Sequence, residues 1–198
     1  MRLIDAIPKS ESDILLESWG FNMLEEYHRM IKEANFSRDV ILDVATGTGR
    51  AVSILTRMNY DVITADLDFS QRPEVEKRIS PELLKRLKYQ QFNLESIPYP
   101  DNSINNIVCI NTLHEVENPY LCLKEIIRIH TLSGKMLIAD FNTTGFDIMD
   151  KLHSVRYNRL HQRGKIALSE LQSILLQNYK NVIMISTELN TGFIVSGK

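Results

Sequence analysis

Apolar residues occur in short runs that alternate with segments of helical periodicity along most of the chain. Runs rich in Val, Ile or Leu lie at 40–44, 61–65, 107–110 and 136–139, and a weaker run lies at 87–92. Strands buried on both faces read as continuous apolar runs, as in parallel sheets that helices cover on both sides. The alternation therefore predicts an α/β fold with a doubly wound sheet and right-handed crossovers.

Helical periodicity fills the segments between these runs. Helices are predicted at 50–58 and within 169–177. Another is predicted to begin at Asn118-Pro119, because Asn can cap a helix and Pro fits its first turn. Gly134 is expected to mark the end of that helix.

The C-terminus departs from the alternation. Two strand-like runs, 182–186 and 193–196, are separated by a short segment that contains Asn190 and Gly192. The segment has no room for a crossover helix, so the two strands are expected to form an antiparallel hairpin.

The first 36 residues form a segment of their own. Their apolar positions follow helical spacing from Ile14 to Ile31, with a possible interruption at Gly20. Two roles are open for this segment: a helix packed on the sheet, or a lid over a ligand. The expected division is an N-terminal helical cap segment, 1–36, and a ligand-binding domain, 37–198.

Composition narrows the class of protein. The chain of 198 residues carries 23 Lys plus Arg against 25 Asp plus Glu, and this balance disfavours nucleic acid as a partner. Cys109 and Cys122 are too few for a metal site or a disulfide framework, and no metal is expected. With no apolar leader and no run long enough for a membrane span, a cytoplasmic location is expected.

The loop after the first predicted strand carries the sharpest signal. The strand runs into Ala45-Thr-Gly-Thr-Gly49, and a helix is predicted directly beyond it. Gly47 and Gly49 permit positive φ, and the helix N-terminus favours an anionic group. Open α/β sheets bind ligands at this edge. Val52 stands where the dinucleotide fingerprint needs a third glycine, which weighs against NAD or FAD.

Asp66 makes the signal more specific. It ends the second predicted strand, 17 positions after Gly49. An acidic residue there can accept hydrogen bonds from both hydroxyls of a ribose. The alternative is a solvated loop carboxylate, as Asp68 nearby illustrates, but loop and spacing together favour the ribose role.

With these residues, the sequence resembles the class I S-adenosylmethionine-dependent methyltransferases, and most of all the small-molecule enzymes of the ubiquinone/menaquinone-biosynthesis type. The loop 42–49 is similar to the family's first motif, with Ala45 in place of the first glycine. Residues 91–103 resemble the segment after the third strand, with Asn93 where the family usually has Asp. Asn keeps a carbonyl acceptor but loses a charge-assisted hydrogen bond.

Two further segments extend the resemblance. Residues 107–116 resemble the fourth strand and its loop, and residues 133–141 resemble the fifth strand. The resemblance is strong over 40–142, weaker over 181–198 and absent from the first 36 residues. It implies a Rossmann-like doubly wound seven-stranded sheet, mostly parallel, with an antiparallel strand in the C-terminal hairpin.

The family resemblance implies S-adenosyl-L-methionine as the cofactor and S-adenosyl-L-homocysteine as its product. In this sequence, Asp43 and the Thr46–Gly49 backbone would hold the methionine end, and Asp66 would hold the ribose. Leu67, Asn93 and Leu94 would contact adenine, and the backbone of Asn111 would lie near the methionine amine. The complete implied set is Asp43, Ala45, Thr46, Gly47, Thr48, Gly49, Asp66, Leu67, Asn93, Leu94 and Asn111.

Catalytic residues are harder to assign. The leaving thioether is neutral, so alignment of acceptor and methyl group supplies much of the effect. His114 follows the fourth strand and is the candidate general base, since imidazole removes protons near pH 7. A loop histidine that only shapes the pocket is equally compatible, and Glu115 and Asp140 are weaker candidates. The candidate substrate-binding residues, which core packing explains equally well, are Trp19, Tyr27 and Phe146.

The expected function is methyl transfer to a small-molecule acceptor by in-line displacement. Two alternatives stay open: an RNA or protein methyltransferase on the same fold, and a partner subunit that binds the cofactor without catalysis. The basic segment Lys151–Lys165 fits an acidic substrate, RNA or a solvated face, and Tyr157 is its one aromatic residue. The acceptor and the oligomeric state stay open.

Overall fold

The computed structural model describes residues 2–198, which form a sheet of seven strands. The strands are β1 (Ile41–Val44), β2 (Val62–Asp66), β3 (Leu87–Gln91), β4 (Ile104–Ile110), β5 (His130–Phe141), β6 (Asn181–Ser186) and β7 (Asn190–Ser196). Their order is β3-β2-β1-β4-β5-β7-β6. β7 runs antiparallel to both of its neighbours, and all other neighbouring pairs are parallel. The predicted fold class, including the hairpin, is confirmed.

Helices connect the strands and precede the sheet. They are α1 (Glu11–Ser18), α2 (Met23–Ala34), α3 (Arg50–Arg57), α4 (Arg72–Arg78), α5 (Pro81–Leu84), α6 (Pro119–Ile129), α7 (Thr143–Tyr157) and α8 (Leu168–Asn178). A short 3-10 helix, Leu3–Ala6, comes before them. No helix within residues 2–198 has the length and apolar character that a membrane crossing requires.

Successive residues of the central strands face two different cores. On β4, Val108 and Ile110 pack in the core that α2, α3 and α7 cover. Ile107 and Cys109 pack in the core that α6 and α8 cover. Because side chains alternate between the faces of a strand, burial of both faces makes nearly every strand position apolar. This arrangement explains the continuous apolar runs of the sequence.

The predicted end of α6 is wrong. The helix ends at Ile129, and Gly134 lies inside β5. β5 begins earlier than expected because His130 already pairs with Ile104, before a shift in the β4–β5 register. A Cβ on Gly134 would lie only 2.2 Å from the backbone oxygen of Asn105. The glycine therefore permits a close approach of two strands rather than a helix end.

The N-terminal helices attach to the sheet domain through a buried ion pair network. Gly20, with φ of 95°, separates α1 from α2 as the sequence suggested. Asp13 of α1 accepts hydrogen bonds from Arg50 Nε at 2.9 Å and from Arg78 Nη2 at 2.6 Å. These arginines belong to α3 and α4, so one carboxylate joins three helices. The division of the chain at residue 36 stays a prediction.

Candidate functional site

The loop after β1 adopts left-handed backbone conformations. The φ values of Ala45, Gly47 and Gly49 are 67°, 49° and 81°. Glycine takes such a conformation without strain, whereas Ala45 does so at a cost of roughly 1–2 kcal/mol. The N–H groups of Ala45 and Thr46 donate to the carbonyl of Ala65, at 2.8 and 3.1 Å. The loop is thus fixed across the end of β2 and leads into α3, whose N-cap is Gly49.

Asp66 at the end of β2 anchors this loop. Its Oδ2 accepts the N–H of Gly47 at 3.0 Å, and its Oδ1 accepts the N–H of Leu67 at 2.8 Å. A carboxylate oxygen can accept more than one hydrogen bond. Asp66 therefore positions the loop and keeps acceptor capacity for a ligand.

A buried polar chain lies beneath the loop. Thr64 Oγ1 donates to Asp43 Oδ2 at 2.7 Å, and the hydroxyls of Thr46 and Thr64 lie 2.6 Å apart. Burial raises the pKa of Asp43 to about 7, with a further contribution from the charge of Asp66. Asp43 consequently changes its charge near neutral pH.

Beside Asp66 lies a cavity of about 460 Å³, called here the outer cavity. Leu94 is buried against it, whereas Leu67 is 65% exposed. Asn93 Oδ1 accepts the N–H of Glu95 at 2.9 Å. The implied cofactor residues that line the outer cavity are Ala45, Gly47, Asp66, Leu67, Asn93, Leu94 and Asn111.

A second cavity of about 260 Å³, the inner cavity, meets the outer one at Ala45, Gly47, Asn111 and Glu115. Asp43, Thr46 and Thr48 of the implied cofactor set also line it. Asn111 has a φ of 54° and donates from Nδ2 to the hydroxyl of Tyr27 at 3.4 Å. Its Oδ1 is buried and has no hydrogen-bond partner among residues 2–198. An acceptor is therefore free at the junction of the two cavities.

Three histidines and one aspartate, called here the histidine chain, follow one another along the far side of the inner cavity. His114 Nδ1 lies 2.5 Å from Asp140 Oδ1, and its backbone N–H donates to Asp140 Oδ2 at 3.0 Å. His114 Nε2 lies 3.0 Å from His161 Nε2, and His161 Nδ1 lies 3.3 Å from His153 Nδ1. Both ring nitrogens of the predicted base His114 thus have partners.

The surroundings give the histidines unequal proton affinities. Burial alone would lower the pKa of His114, but hydrogen bonds to Asp140 and Glu115 outweigh this effect and raise it. Burial, with the neighbouring His114 and His153, lowers the pKa of His161 to about 4. Burial and the nearby Arg159 lower the pKa of His153. A proton on the histidine chain is therefore most stable on His114.

The candidate substrate-binding residues lie in three different places. Tyr27 lines the inner cavity. Phe146 lines a neighbouring cavity of about 540 Å³, and its ring centroid lies 5.5 Å from that of His114. Trp19 does not line these cavities, and the ammonium of Lys151 covers its ring at 4.0 Å.

The basic segment Lys151–Lys165 is largely paired within the chain. Arg156 forms an ion pair with Glu11 at 2.6 Å, and Arg163 forms one with Asp147 at 2.8 Å. His153 and His161 of this segment belong to the histidine chain, which sequence reasoning missed. They stand 39 and 47 positions after His114, and no periodicity connects them to it.

The residues that line the outer cavity lie in a segment that matches a known protein family. A family model described as a methyltransferase domain matches residues 42–138. The match runs from β1 into β5 and covers nearly half of the chain.

Curated relatives of this chain include two bacterial proteins named ubiquinone/menaquinone biosynthesis C-methyltransferase UbiE. The one from Pasteurella multocida is 26% identical over 67% of this chain and 52% of the relative. The one from Pseudoalteromonas translucida is 28% identical over 67% of this chain and 55% of the relative. The matched part thus spans about half the length of these relatives.

Solved structures support the fold. An S-adenosylmethionine-dependent methyltransferase from Aquifex aeolicus aligns with a TM-score of 0.63 at 19% identity, covering 86% of this chain and 88% of that one. The PH0226 protein from Pyrococcus horikoshii aligns with a TM-score of 0.65 at 13% identity, covering 88% of this chain and 89% of that one.

Proposed function

We propose that this protein is an enzyme that transfers the methyl group of S-adenosyl-L-methionine to a small-molecule acceptor by in-line displacement. The observation that carries the proposal is the junction of the outer and inner cavities at Ala45, Gly47, Asn111 and Glu115. A cofactor laid across this junction has its adenosine in the outer cavity and its methionine end in the inner one. The sulfonium methyl group then faces the remainder of the inner cavity.

In the outer cavity, the carboxylate of Asp66 is placed to accept the ribose hydroxyls. Leu94 offers a buried apolar surface to the adenine ring, and Leu67 offers an exposed one that the ring would cover. Asn93 lines the same cavity and supplies polar contacts to the base. These roles rest on the family resemblance and on the placement of the four side chains around one cavity.

In the inner cavity, Asp43 and the loop Thr46–Gly49 are placed at the methionine end. The side-chain Oδ1 of Asn111 has no hydrogen-bond partner among residues 2–198, so we assign it as an acceptor for the methionine ammonium. The ionised form of Asp43 adds attraction for that positive group.

The acceptor is assigned to the histidine side of the inner cavity. Tyr27, Phe141 and Met149 give that side an apolar lining, and the volume of about 260 Å³ favours a small molecule. The name of the relatives, C-methyltransferases of quinone biosynthesis, supports the same class of acceptor. His114 stays the candidate base, but both its ring nitrogens are hydrogen-bonded, so a proton reaches it only through a neighbour.

The test is calorimetric titration with S-adenosyl-L-homocysteine, with NADH as the comparison ligand. The protein is expected to bind S-adenosyl-L-homocysteine and not NADH. Asp66→Ala should weaken the binding by at least about tenfold, because charge-assisted hydrogen bonds are lost.

The matched control is Asp61→Ala, which removes a carboxylate next to the opposite end of β2. Asp61 pairs with Arg86 at 2.9 Å on the exposed surface, away from the cavities. Its substitution should leave the affinity unchanged. Binding of NADH alone, or equal losses in the two variants, would contradict the proposed cofactor site.

A further inference from the structure

We propose that Asp140, His114, His161 and His153 form a proton-transfer chain that receives the proton an acceptor loses on methylation. The proposal rests on the proposed methyltransferase function and narrows its substrate class. The acceptor is a hydroxyl, an amine or an acidic carbon that carries a hydrogen, because an acceptor without one releases no proton.

The hydrogen-bond geometry gives every contact of the chain one donor and one acceptor. Above the pKa of His114, which the hydrogen bonds to Asp140 and Glu115 raise to about 9, the three imidazoles are neutral and the chain can receive a proton. In this state His114 Nδ1 donates to Asp140 Oδ1 across 2.5 Å. His161 Nε2 donates to His114 Nε2 across 3.0 Å, and His153 Nδ1 donates to His161 Nδ1 across 3.3 Å. The lone pair of His153 Nε2 is then the free end of the chain, on a half-buried ring that lines the inner cavity.

A proton that arrives at this free end can be passed inward. When His153 Nε2 takes the proton, the Nδ1 proton of His153 moves to His161 Nδ1. The Nε2 proton of His161 then moves to His114 Nε2. His153 and His161 end neutral with exchanged tautomers, and His114 becomes an imidazolium beside the Asp140 carboxylate.

The charges balance over the whole reaction. The acceptor forms a bond to the methyl carbon and loses a proton, while the carbon–sulfur bond breaks and its electron pair stays on sulfur. The positive charge of the sulfonium disappears as the neutral thioether forms. An equal positive charge appears on His114. Release of a proton to water from His153 Nε2 restores the chain.

The groups that face the chain favour this end state. Asp140 of β5 and Glu115 after β4 both stabilise a positive His114, and Glu115 Oε1 lies 3.5 Å from His114 Nε2. Asp150 of α7 fixes the loop that carries His161, because its Oδ1 accepts the backbone N–H of His161 at 2.9 Å.

The remaining neighbours act on the outer end and on the solvent. Arg159 lowers the pKa of His153, so the proton does not stay there. Arg163 forms ion pairs with Asp147 and Asp150 rather than contacts with the histidines. The rings of Phe141 and Phe146 lie 5.3 and 5.5 Å from the His114 ring and cover it with apolar surface.

The chain can be tested without the acceptor by ¹⁵N NMR of the histidine rings in the full-length protein. A titration from about pH 5 to about pH 10 follows the tautomer and the charge of each ring. At the pH where His114 gains its proton, His161 should change from the Nε2–H to the Nδ1–H tautomer while staying neutral. His153 should change its tautomer at the same midpoint.

Two variants separate proton transfer from packing. His161→Gln retains a side-chain amide near His114 Nε2 but cannot relay a proton, so the His153 tautomer should no longer follow His114. Asp140→Asn removes the carboxylate and should lower the pKa of His114 by about one unit or more. His28→Gln is the matched control on α2, outside the histidine chain, and should change neither midpoint.

Two results would overturn the proposal. One is a His161 ring that keeps a single tautomer, or that gains its own charge at a separate midpoint. The other is tight Zn²⁺ binding, since donor atoms of His114, Glu115 and His161 lie within 4.8 Å of one another and would then be metal ligands. Binding of S-adenosyl-L-homocysteine by the same samples tests the methyltransferase proposal separately, so either proposal can fail alone.

Discussion

The outer and inner cavities are built in different ways, although they share Ala45, Gly47, Asn111 and Glu115. The outer cavity depends on backbone: the positive φ values of one short loop and the two N–H groups bound by Asp66 shape it. The far side of the inner cavity depends on side chains from distant segments, above all His114, His153 and His161. A change in local backbone conformation should therefore damage the first, and a change in loop placement the second.

Gly49→Ala should have the largest effect, because Gly49 ends the loop that borders both cavities. A Cβ at this position, where φ is 81°, would lie 2.9 Å from Val75 Cγ1 and 3.1 Å from Val75 Cα. Left-handed strain and overpacking should together lower the free energy of unfolding by about 3 kcal/mol. The distorted loop should weaken binding of S-adenosyl-L-homocysteine by at least about tenfold, as measured by calorimetry.

Gly20→Ala supplies the control for that variant. Gly20 has a φ of 95°, but a Cβ there would meet nothing within 4 Å. It reproduces the backbone strain without the clash, far from the loop. If Gly20→Ala weakened binding of S-adenosyl-L-homocysteine as strongly as Gly49→Ala, local loop geometry would not be the reason for the loss of affinity.

Gly164→Ala should separate the inner side from the outer one. Its Cβ would lie 2.5 Å from the Cα of His114, and the φ of Gly164 is 78°. The segment that carries His161 must move away from His114, at a cost of about 2 kcal/mol in stability. The ¹⁵N signals of His161 should no longer change when His114 gains its proton. The affinity for S-adenosyl-L-homocysteine should change by less than about twofold. An affinity loss as large as that of Gly49→Ala would show that the two sides are not separable.

The pH dependence of cofactor binding should sharpen the comparison through a change of charge rather than of backbone or packing. Burial raises the pKa of Asp43 to about 7, so the carboxyl is mostly neutral below that pH. A positive methionine end binds the ionised form better, so affinity should rise with pH, by up to about tenfold per unit below the pKa, and then level off. In Asp43→Asn the calorimetric affinity should be weaker and independent of pH from about 6 to about 8. An unchanged slope would assign the titration to another group.

Much of the fold could be predicted because its signals are local. Burial on both faces marks the parallel strands as apolar runs, and the short spacing between the last two strands predicts a hairpin. The end of α6 could not be predicted in this way, because the early start of β5 depends on pairing of His130 with Ile104. Gly134 is needed for contact with Asn105, and that contact is not visible in the local pattern.

The same distinction applies to the site. The implied cofactor residues sit in the last positions of consecutive parallel strands or on the loops after them, so one edge of the sheet brings them together. His153 and His161 reach His114 only because α7 and the loop after it fold back over the end of β5. Their charges read as part of a basic segment, and only the tertiary structure separates them from Arg156 and Arg163, which form ion pairs.

Arg50 connects the N-terminal helices to the inner cavity. Its Nε holds Asp13 of α1 at 2.9 Å, and the same side chain lines the inner cavity. Docking of α1 on the sheet domain and binding of a ligand in that cavity therefore involve the same guanidinium. If a ligand changes the equilibrium constant for docking of α1 by some factor, docking of α1 must change the affinity for that ligand by the same factor. The N-terminal segment, which shows no family resemblance, should thus influence the affinity of the site that the family motifs form.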